Sequence, residues 1–82
     1  MIELKDTIPM MTSPDYKERF KAEYYQLKIR LEKLSAMLDK YVAGVLDFTP
    51  SCPFYIFQDQ EANMKRYLRI LENRAKIEKI DL

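Results

Sequence analysis

The sequence predicts an all-α fold: an antiparallel helical hairpin with a short N-terminal arm, which assembles into a homo-oligomeric helical bundle. Three observations predict it. Apolar residues recur at spacings of 4, 3, 4, 3, 4 and 3 through the first half of the chain, a short proline-bounded turn follows, and a second heptad-like series comes after the turn. The first series is Phe20, Tyr24, Leu27, Leu31, Leu34, Leu38 and Tyr41. Such a narrow apolar stripe needs a partner helix.

The chain of 82 residues is expected to form one helical hairpin domain, residues 13–82, behind an arm of residues 1–12. The arm contains Pro9 and only scattered apolar residues, which is typical of an extended or flexible segment. We expect it to lie across a neighbouring helix.

The first helix has recognisable ends. The hydroxyl of Ser13 can cap it, and Pro14 at the first helical position loses no hydrogen bond there. Gly44 follows the last apolar residues and suits a left-handed cap. The predicted helix is therefore about 30 residues, or roughly 45 Å, long.

The second helix is expected to start at Phe54, after a turn that spans Val45–Pro53. Pro53 suits a helix start capped by Ser51 or Cys52, and a connection this short folds the second helix back onto the first. Two polar residues interrupt its apolar stripe, which is flanked by Leu68 and Ala75. The stripe runs through Phe57, Gln60, Met64, Tyr67, Leu71, Arg74 and Glu78.

Composition excludes several functions. A net charge of +1 is too small for duplex nucleic acid, and one cysteine without any histidine allows neither an intrachain disulfide nor a usual zinc site. With one glycine there is no phosphate-binding loop, so we expect no enzyme, no metal and no cofactor. No membrane span or secretory signal is visible, which predicts a cytoplasmic protein. Self-association remains as the means of stabilising a domain this small.

Each conspicuous residue has two interpretations. Tyr24, Tyr41 and Tyr67 fall on stripes that predict core packing, with stacking on a base as the alternative. Gln60 and Arg74 interrupt a helix seam, so they form either a structural network, such as Arg74 with an acidic residue of the first helix, or contacts to an anionic ligand. Cys52 lacks a histidine to activate it and is expected to be a small buried cap.

Over residues 15–82 the chain resembles a family of small helical proteins of tailed phages, including crAss-like phages and phages of gut Firmicutes. The resemblance rests on DYKERFKAEY near the start, GVLDFTPSCP in the turn, and the spaced residues of Q..NM.RYL.ILE.RA.IE.I.L at the end. The segment from Phe54 to Phe57 is more aromatic than the usual pattern, and Lys79 stands where glycine is frequent.

The resemblance implies a function, because some phage proteins of similar build, as in the anti-CBASS family, are sponges for cyclic oligonucleotide immune signals. A sponge in the cytoplasm of an infected bacterium would bind a cyclic di- or trinucleotide, or a related nucleotide signal, without cleaving it. The residues of such a site would be phosphate donors Lys28, Arg66 and Arg74, stacking platforms Tyr24 and Tyr67, and Gln60 as a base-edge or ribose contact. The alternatives are a helical interaction module that docks on a host or phage protein and, as a third option, a purely structural phage component.

Overall fold

The computed structural model describes residues 1–82 and consists of helices without strands. A 3-10 turn at Leu4–Asp6 leads into the short helix α1 (Thr7–Met11), which is followed by the long helices α2 (Tyr16–Ala43) and α3 (Phe54–Glu78). The predicted all-α class is confirmed. No helix combines the length and the apolar character that crossing a membrane requires.

The two long helices run antiparallel: contacts from successive residues of α2 reach α3, or the residue that follows it, in reverse order. The molecule is accordingly elongated, with extents of 43 × 24 × 20 Å. The contacting pairs, from one end of the hairpin to the other, are Lys17 with Lys79, Tyr24 with Glu72, Ser35 with Glu61, and Tyr41 with Phe54.

Helix α2 starts two residues later than Ser13 and Pro14 predict, and it ends where Gly44 predicts. Asp15 is the cap, since its Oδ1 accepts a hydrogen bond from the Lys17 amide at 3.0 Å. The Ser13 Oγ accepts a hydrogen bond from the Asp15 amide at 3.1 Å, just before the helix starts. A carboxylate at the positive end of the helix dipole is favoured, which accounts for the shift. Gly44 takes the left-handed conformation with φ 74°.

Helix α3 starts at Phe54 as predicted, but neither Ser51 nor Cys52 caps it. Pro53 occupies the cap position, and its carbonyl oxygen accepts from the amides of Ile56 and Phe57. Helix α3 ends at Glu78, where Lys79 adopts a left-handed conformation with φ 56° and ψ 48°. This turn lets the Ile80 amide donate to the Ala75 carbonyl oxygen at 2.8 Å. Ile80 is thereby folded into the core.

The core lies between α2 and α3 and is centred on Leu71, which is 1% exposed. Its members from α2 are Phe20, Tyr24 and Leu27, and Ala75 and Ile80 complete it beside Leu71. Further along α2, Leu31 and Leu38 are also buried.

The buried stripe of α3 is rotated relative to the predicted one. Met64 and Leu68 pack against the core, whereas Gln60, Tyr67 and Arg74 are exposed at its edge. Burying the Gln60 amide and the Arg74 guanidinium would remove their hydration. Leu68 and Ala75, on the neighbouring face of α3, can be buried without that loss. The prediction that Tyr67 and Arg74 share the buried stripe is therefore wrong for the single chain. Tyr41 is also exposed, with its ring stacked on Phe54 at 4.7 Å.

The N-terminal arm is helical where an extended segment was expected, and it lies across α2 as predicted. Its anchor is Thr7, which is 1% exposed. The Thr7 hydroxyl donates to the Leu4 carbonyl oxygen at 2.7 Å and accepts from Gln26 Nε2 at 3.0 Å. Because the Thr7 hydroxyl is hydrogen-bonded both to its own segment and to α2, it holds the arm on α2. Ala22 of α2 is buried as well.

Replacing Lys79 with glycine is expected to stabilise the protein. Glycine adopts the left-handed conformation without the steric cost that a Cβ imposes, so Lys79→Gly should raise the free energy of unfolding by about 1 kcal/mol. Urea unfolding followed by circular dichroism measures the change. Lys79→Ala is the control, because it removes the long side chain and keeps the Cβ. An equal gain in both variants would contradict this explanation.

Candidate functional site

The six residues predicted to bind a ligand fall on different surfaces of the hairpin. Tyr24 and Lys28 lie on the side where Tyr24 meets Glu72 of α3. We call this the Tyr24 side. Gln60, Tyr67 and Arg74 share another face of α3, because residues seven apart lie two helical turns apart on one face. Arg66 is exposed on α3 and makes no ion pair within the chain. A single chain therefore does not bring the six residues into one site.

On the Tyr24 side, the tyrosine is part of the core. Its hydroxyl donates to Glu72 Oε2 at 3.0 Å, and its ring meets Tyr25 edge to face at 5.1 Å. Lys28 Nζ lies 5.9 Å from the ring centroid, within the range of a cation–π contact. Burial, followed by the hydrogen bond to Glu72, raises the pKa of Tyr24 from 10.0 to about 12. The stacking role of Tyr24 stays a prediction that requires the ring to be uncovered.

The opposite side of the hairpin carries a groove of about 330 Å³ between α1, α2 and Tyr67 of α3. We call it the Tyr67 groove. The Tyr67 hydroxyl donates to a carboxylate oxygen of Glu23, while 42% of the residue stays exposed. Arg19 and Arg30 of α2 also line the groove. Arg19 is anchored there, because its Nη1 donates to the Ser13 carbonyl oxygen at 2.8 Å.

Arg74 stands near this groove, on the same edge of α3 as Tyr67. Its Nε donates to Glu78 Oε2 at 2.8 Å, and its guanidinium carbon lies 4.9 Å from the centroid of the Phe20 ring. The hydrogen bond to Glu78 is the main cause that raises the pKa of Arg74, with Glu23 adding a smaller electrostatic effect. Only Nε is used within the chain, so both terminal NH₂ groups are free to donate to an anion.

The contacts of Gln60 and Arg74 within the chain bear on the interpretation of both residues as a structural network. Within the chain, Arg74 pairs with Glu78 on its own helix and makes no ion pair with an acidic residue of the first helix. Gln60 is exposed and makes no side-chain hydrogen bond within the chain. Neither residue is needed to satisfy a buried group, which leaves both able to contact a ligand or a second molecule.

Sequence reasoning missed the two arginines of the groove. Neither Arg19 nor Arg30 was among the predicted site residues. The signal was present in the spacing, because Arg19, Glu23 and Arg30 follow one another at 4 and 7 residues and therefore share a face of α2. The position of Tyr67 beside these residues depends on how α3 packs on α2, and the spacing does not predict it.

The Tyr67 groove combines an aromatic ring with cationic hydrogen-bond donors. Guanidinium groups form charge-assisted hydrogen bonds with phosphate, and an aromatic ring offers a face to a base. No group of three or more Asp, Glu or Cys side chains is placed to hold a metal ion. These groups are suited to an anion that carries a flat ring.

The pH dependence of stability tests the environment of Tyr24. Because its pKa is raised on folding, Tyr24 contributes stability below about pH 10 that is lost as the pH rises towards about 12. We expect Tyr24→Phe to lose stability less steeply over this interval than the wild-type protein, as measured by urea unfolding at a series of pH values. Tyr55→Phe, at an exposed position, is the control and should keep the wild-type slope. Equal slopes for all three proteins would contradict the assigned environment.

A family model matches most of the chain. No curated protein and no solved structure is significantly similar to the chain. The model of the Sequestin family matches residues 14–77, well over half of the chain, including α2, the turn and nearly all of α3. The name of that family denotes sequestration, which is a binding role and not a catalytic one. The chain belongs to the Sequestin family.

Proposed function

We propose that the protein is an anti-defence sponge that binds and sequesters a cyclic di- or trinucleotide, or a related nucleotide immune signal, without cleaving it. It would act as a homo-oligomer in the cytoplasm of a phage-infected bacterium. Family membership supports sequestration as the general role. The observation that carries the choice of ligand is the Tyr67 groove, in which an exposed aromatic ring lies beside Arg19 and Arg30.

The groove suits both parts of a nucleotide. The arginines supply charge-assisted hydrogen bonds for phosphate oxygens, and Arg74 adds its free NH₂ groups from the same edge of α3. The ring of Tyr67 supplies a stacking surface for a base, and the amide of Gln60 can donate to and accept from a base edge or a ribose hydroxyl. Arg66 adds a further exposed cation on α3.

Assembly of several copies supports the same proposal. A groove of about 330 Å³ is at the low end of small-molecule sites and is too small to enclose a cyclic dinucleotide. Tyr24 and Lys28 lie on the other side of the hairpin, so they reach a ligand held in this groove only from a second copy. A site shared between copies would unite the six residues.

Binding without turnover fits the side chains that line the groove. Glu23 is its only carboxylate, and that carboxylate already accepts a hydrogen bond from the Tyr67 hydroxyl. General acid–base catalysis requires a group positioned to move a proton to or from the reacting atom, usually with a second group beside it. A groove of arginines, one engaged glutamate and a tyrosine favours holding a phosphodiester over attacking it.

A thermal-shift screen tests the proposal. The purified protein is heated with a panel of cyclic di- and trinucleotides and cyclic ADP-ribose isomers. A ligand present at a hundred times its dissociation constant should add about 2.7 kcal/mol of apparent stability. Linear mononucleotides at the same concentration are the control. If no cyclic nucleotide raises the melting temperature, the proposal fails.

Substitution of Arg74 tests its role in binding. Because Arg74 is exposed and its only ion pair is with Glu78, Arg74→Ala should fold and melt close to wild type while nucleotide binding is abolished. Arg74→Lys should restore binding only in part, since an ammonium group cannot reproduce the planar fork of guanidinium. Isothermal titration calorimetry measures both. Arg69→Ala, an exposed arginine of the same helix, is the matched control and should bind normally. Undiminished binding by Arg74→Ala would remove Arg74 from the site.

A second candidate function is a helical interaction module that docks on another protein. It is favoured by an apolar patch at the turn end of the hairpin, where Val42, Val45, Phe48 and Tyr55 are all more than half exposed. This module would not respond to cyclic nucleotides. Phe48→Asp combined with Tyr55→Asp separates the two functions, because the double variant should still bind nucleotide if the protein is a sponge.

A further inference from the structure

Gln26 lies where the N-terminal arm meets the Tyr67 groove. Its side chain lines the groove together with Met11 of the arm. Gln26 Nε2 donates to Thr7 Oγ1 at 3.0 Å and to Met11 Sδ at 3.6 Å, and both acceptors belong to α1. The arm therefore holds a side chain of the candidate ligand site.

The chemistry of the two acceptors fixes which end of the Gln26 amide faces the arm. Thr7 Oγ1 donates its single hydroxyl hydrogen to the Leu4 carbonyl oxygen at 2.7 Å, so towards Gln26 it can only accept. The thioether sulfur of Met11 has no hydrogen to donate either. An amide rotated by 180° would place its oxygen against two groups that cannot donate to it. The NH₂ group is thus directed to the arm, and Oε1 is the free end of the amide.

Gln26 Oε1 is an accessible hydrogen-bond acceptor. It takes part in no hydrogen bond within the chain, where only Nε2 of this side chain is used. Every buried side-chain nitrogen and oxygen has a partner, so Oε1, which has none, is open to solvent. A phosphodiester has no hydrogen to donate to a carbonyl oxygen. Oε1 is therefore suited to a neutral N–H or O–H group of a ligand and not to its phosphates.

The neighbouring residues place this acceptor beside the expected position of a base. Arg19, Glu23, Gln26 and Arg30 follow one another at spacings of 4, 3 and 4, so they share a face of α2 with a guanidinium group at each end. The Tyr67 hydroxyl contacts Glu23, and Gln26 follows Glu23 by three residues, about 4.5 Å along the helix axis. A base stacked on the Tyr67 ring would have its edge near Gln26, while its phosphates reach the arginines.

We propose that Gln26 determines specificity for the base of the ligand. Its Oε1 accepts a hydrogen bond from an exocyclic amino group, which adenine, guanine and cytosine carry, and Thr7 holds the amide in the orientation that allows this bond. The inference rests on the proposed function and deepens it, because it names the class of nucleotide that the groove selects. A base without the amino group would leave Oε1 unpaired in the complex and should bind about tenfold more weakly.

Matched nucleotides that differ only at this amino group test the proposal by isothermal titration calorimetry. Cyclic di-AMP is paired with its analogue that has hydrogen in place of the 6-amino group, cyclic di-GMP with cyclic di-IMP, and cyclic ADP-ribose with cyclic IDP-ribose. The wild-type protein should bind the amino-bearing member of at least one pair about tenfold more tightly. Gln26→Leu keeps a similar size and lacks the acceptor, so it should bind both members of that pair equally.

Substitutions of Thr7 test whether the arm positions the amide. Thr7→Val keeps the shape of the side chain and loses the hydroxyl, so the ratio of the two affinities should fall. Thr7→Ser keeps the hydroxyl and should keep the wild-type ratio. Gln58→Leu is the matched control, because Gln58 is an exposed glutamine of α3 that does not line the groove. Circular dichroism checks that each variant keeps the wild-type helix content.

The proposal is overturned if the wild-type protein prefers no amino-bearing nucleotide, if Gln26→Leu keeps the preference, or if Thr7→Val keeps it in full. It is also overturned if Gln26→Leu instead loses discrimination against the 2′-deoxy analogue of cyclic di-AMP, because Oε1 would then bind the ribose. Where a cyclic nucleotide still binds, the proposed function stands although this inference fails. Binding of no cyclic nucleotide at all is the separate result that refutes the proposed function.

Discussion

The packing of Leu71 into the apolar row of α2 is the contact on which the rest of the structure depends. Leu71 is 1% exposed and belongs to one cluster with Phe20, Tyr24 and Leu27. By fixing the rotation of α3 about its own axis, it decides which residues of that helix face α2 and which face outward. It also leaves the far side of α2 free for the N-terminal arm, which Thr7 and Gln26 attach there.

The same rotation creates the candidate ligand surface. With the stripe through Met64, Leu68 and Leu71 turned inward, Tyr67 and Arg74 come to the edge of the hairpin, and Tyr67 lies beside Arg19 and Arg30 of α2. A guanidinium at this edge keeps its hydration and its free donors, and both would be lost in the core. The polar interruptions of the helical pattern therefore lie at the surface of the single chain, where they are accessible to the proposed ligand.

The sequence predicted the helices better than it predicted their rotation. Gly44 and Pro53 mark their ends by backbone chemistry that tertiary contacts do not override, and both predictions are confirmed. The choice between Ser13 and Asp15 as a cap depends on which hydrogen bonds form, and the helical arm depends on its contacts with α2. Placing Arg74 in the seam was wrong because a heptad pattern is consistent with two adjacent faces of one helix. Only the packing partner distinguishes those faces, and the proximity of Arg19 to Tyr67 likewise arises from tertiary structure.

A sponge holds its nucleotide signal without changing it chemically. The most direct measurement is to incubate the protein with a cyclic nucleotide that stabilises it, separate protein from free ligand by filtration, and then denature the protein. Chromatography of both fractions follows the nucleotide. Sequestration predicts that the nucleotide is retained with the folded protein and is recovered intact, in stoichiometric amount, after denaturation. A nucleotide that stays in the filtrate, or that is recovered as a linear product, would contradict sequestration.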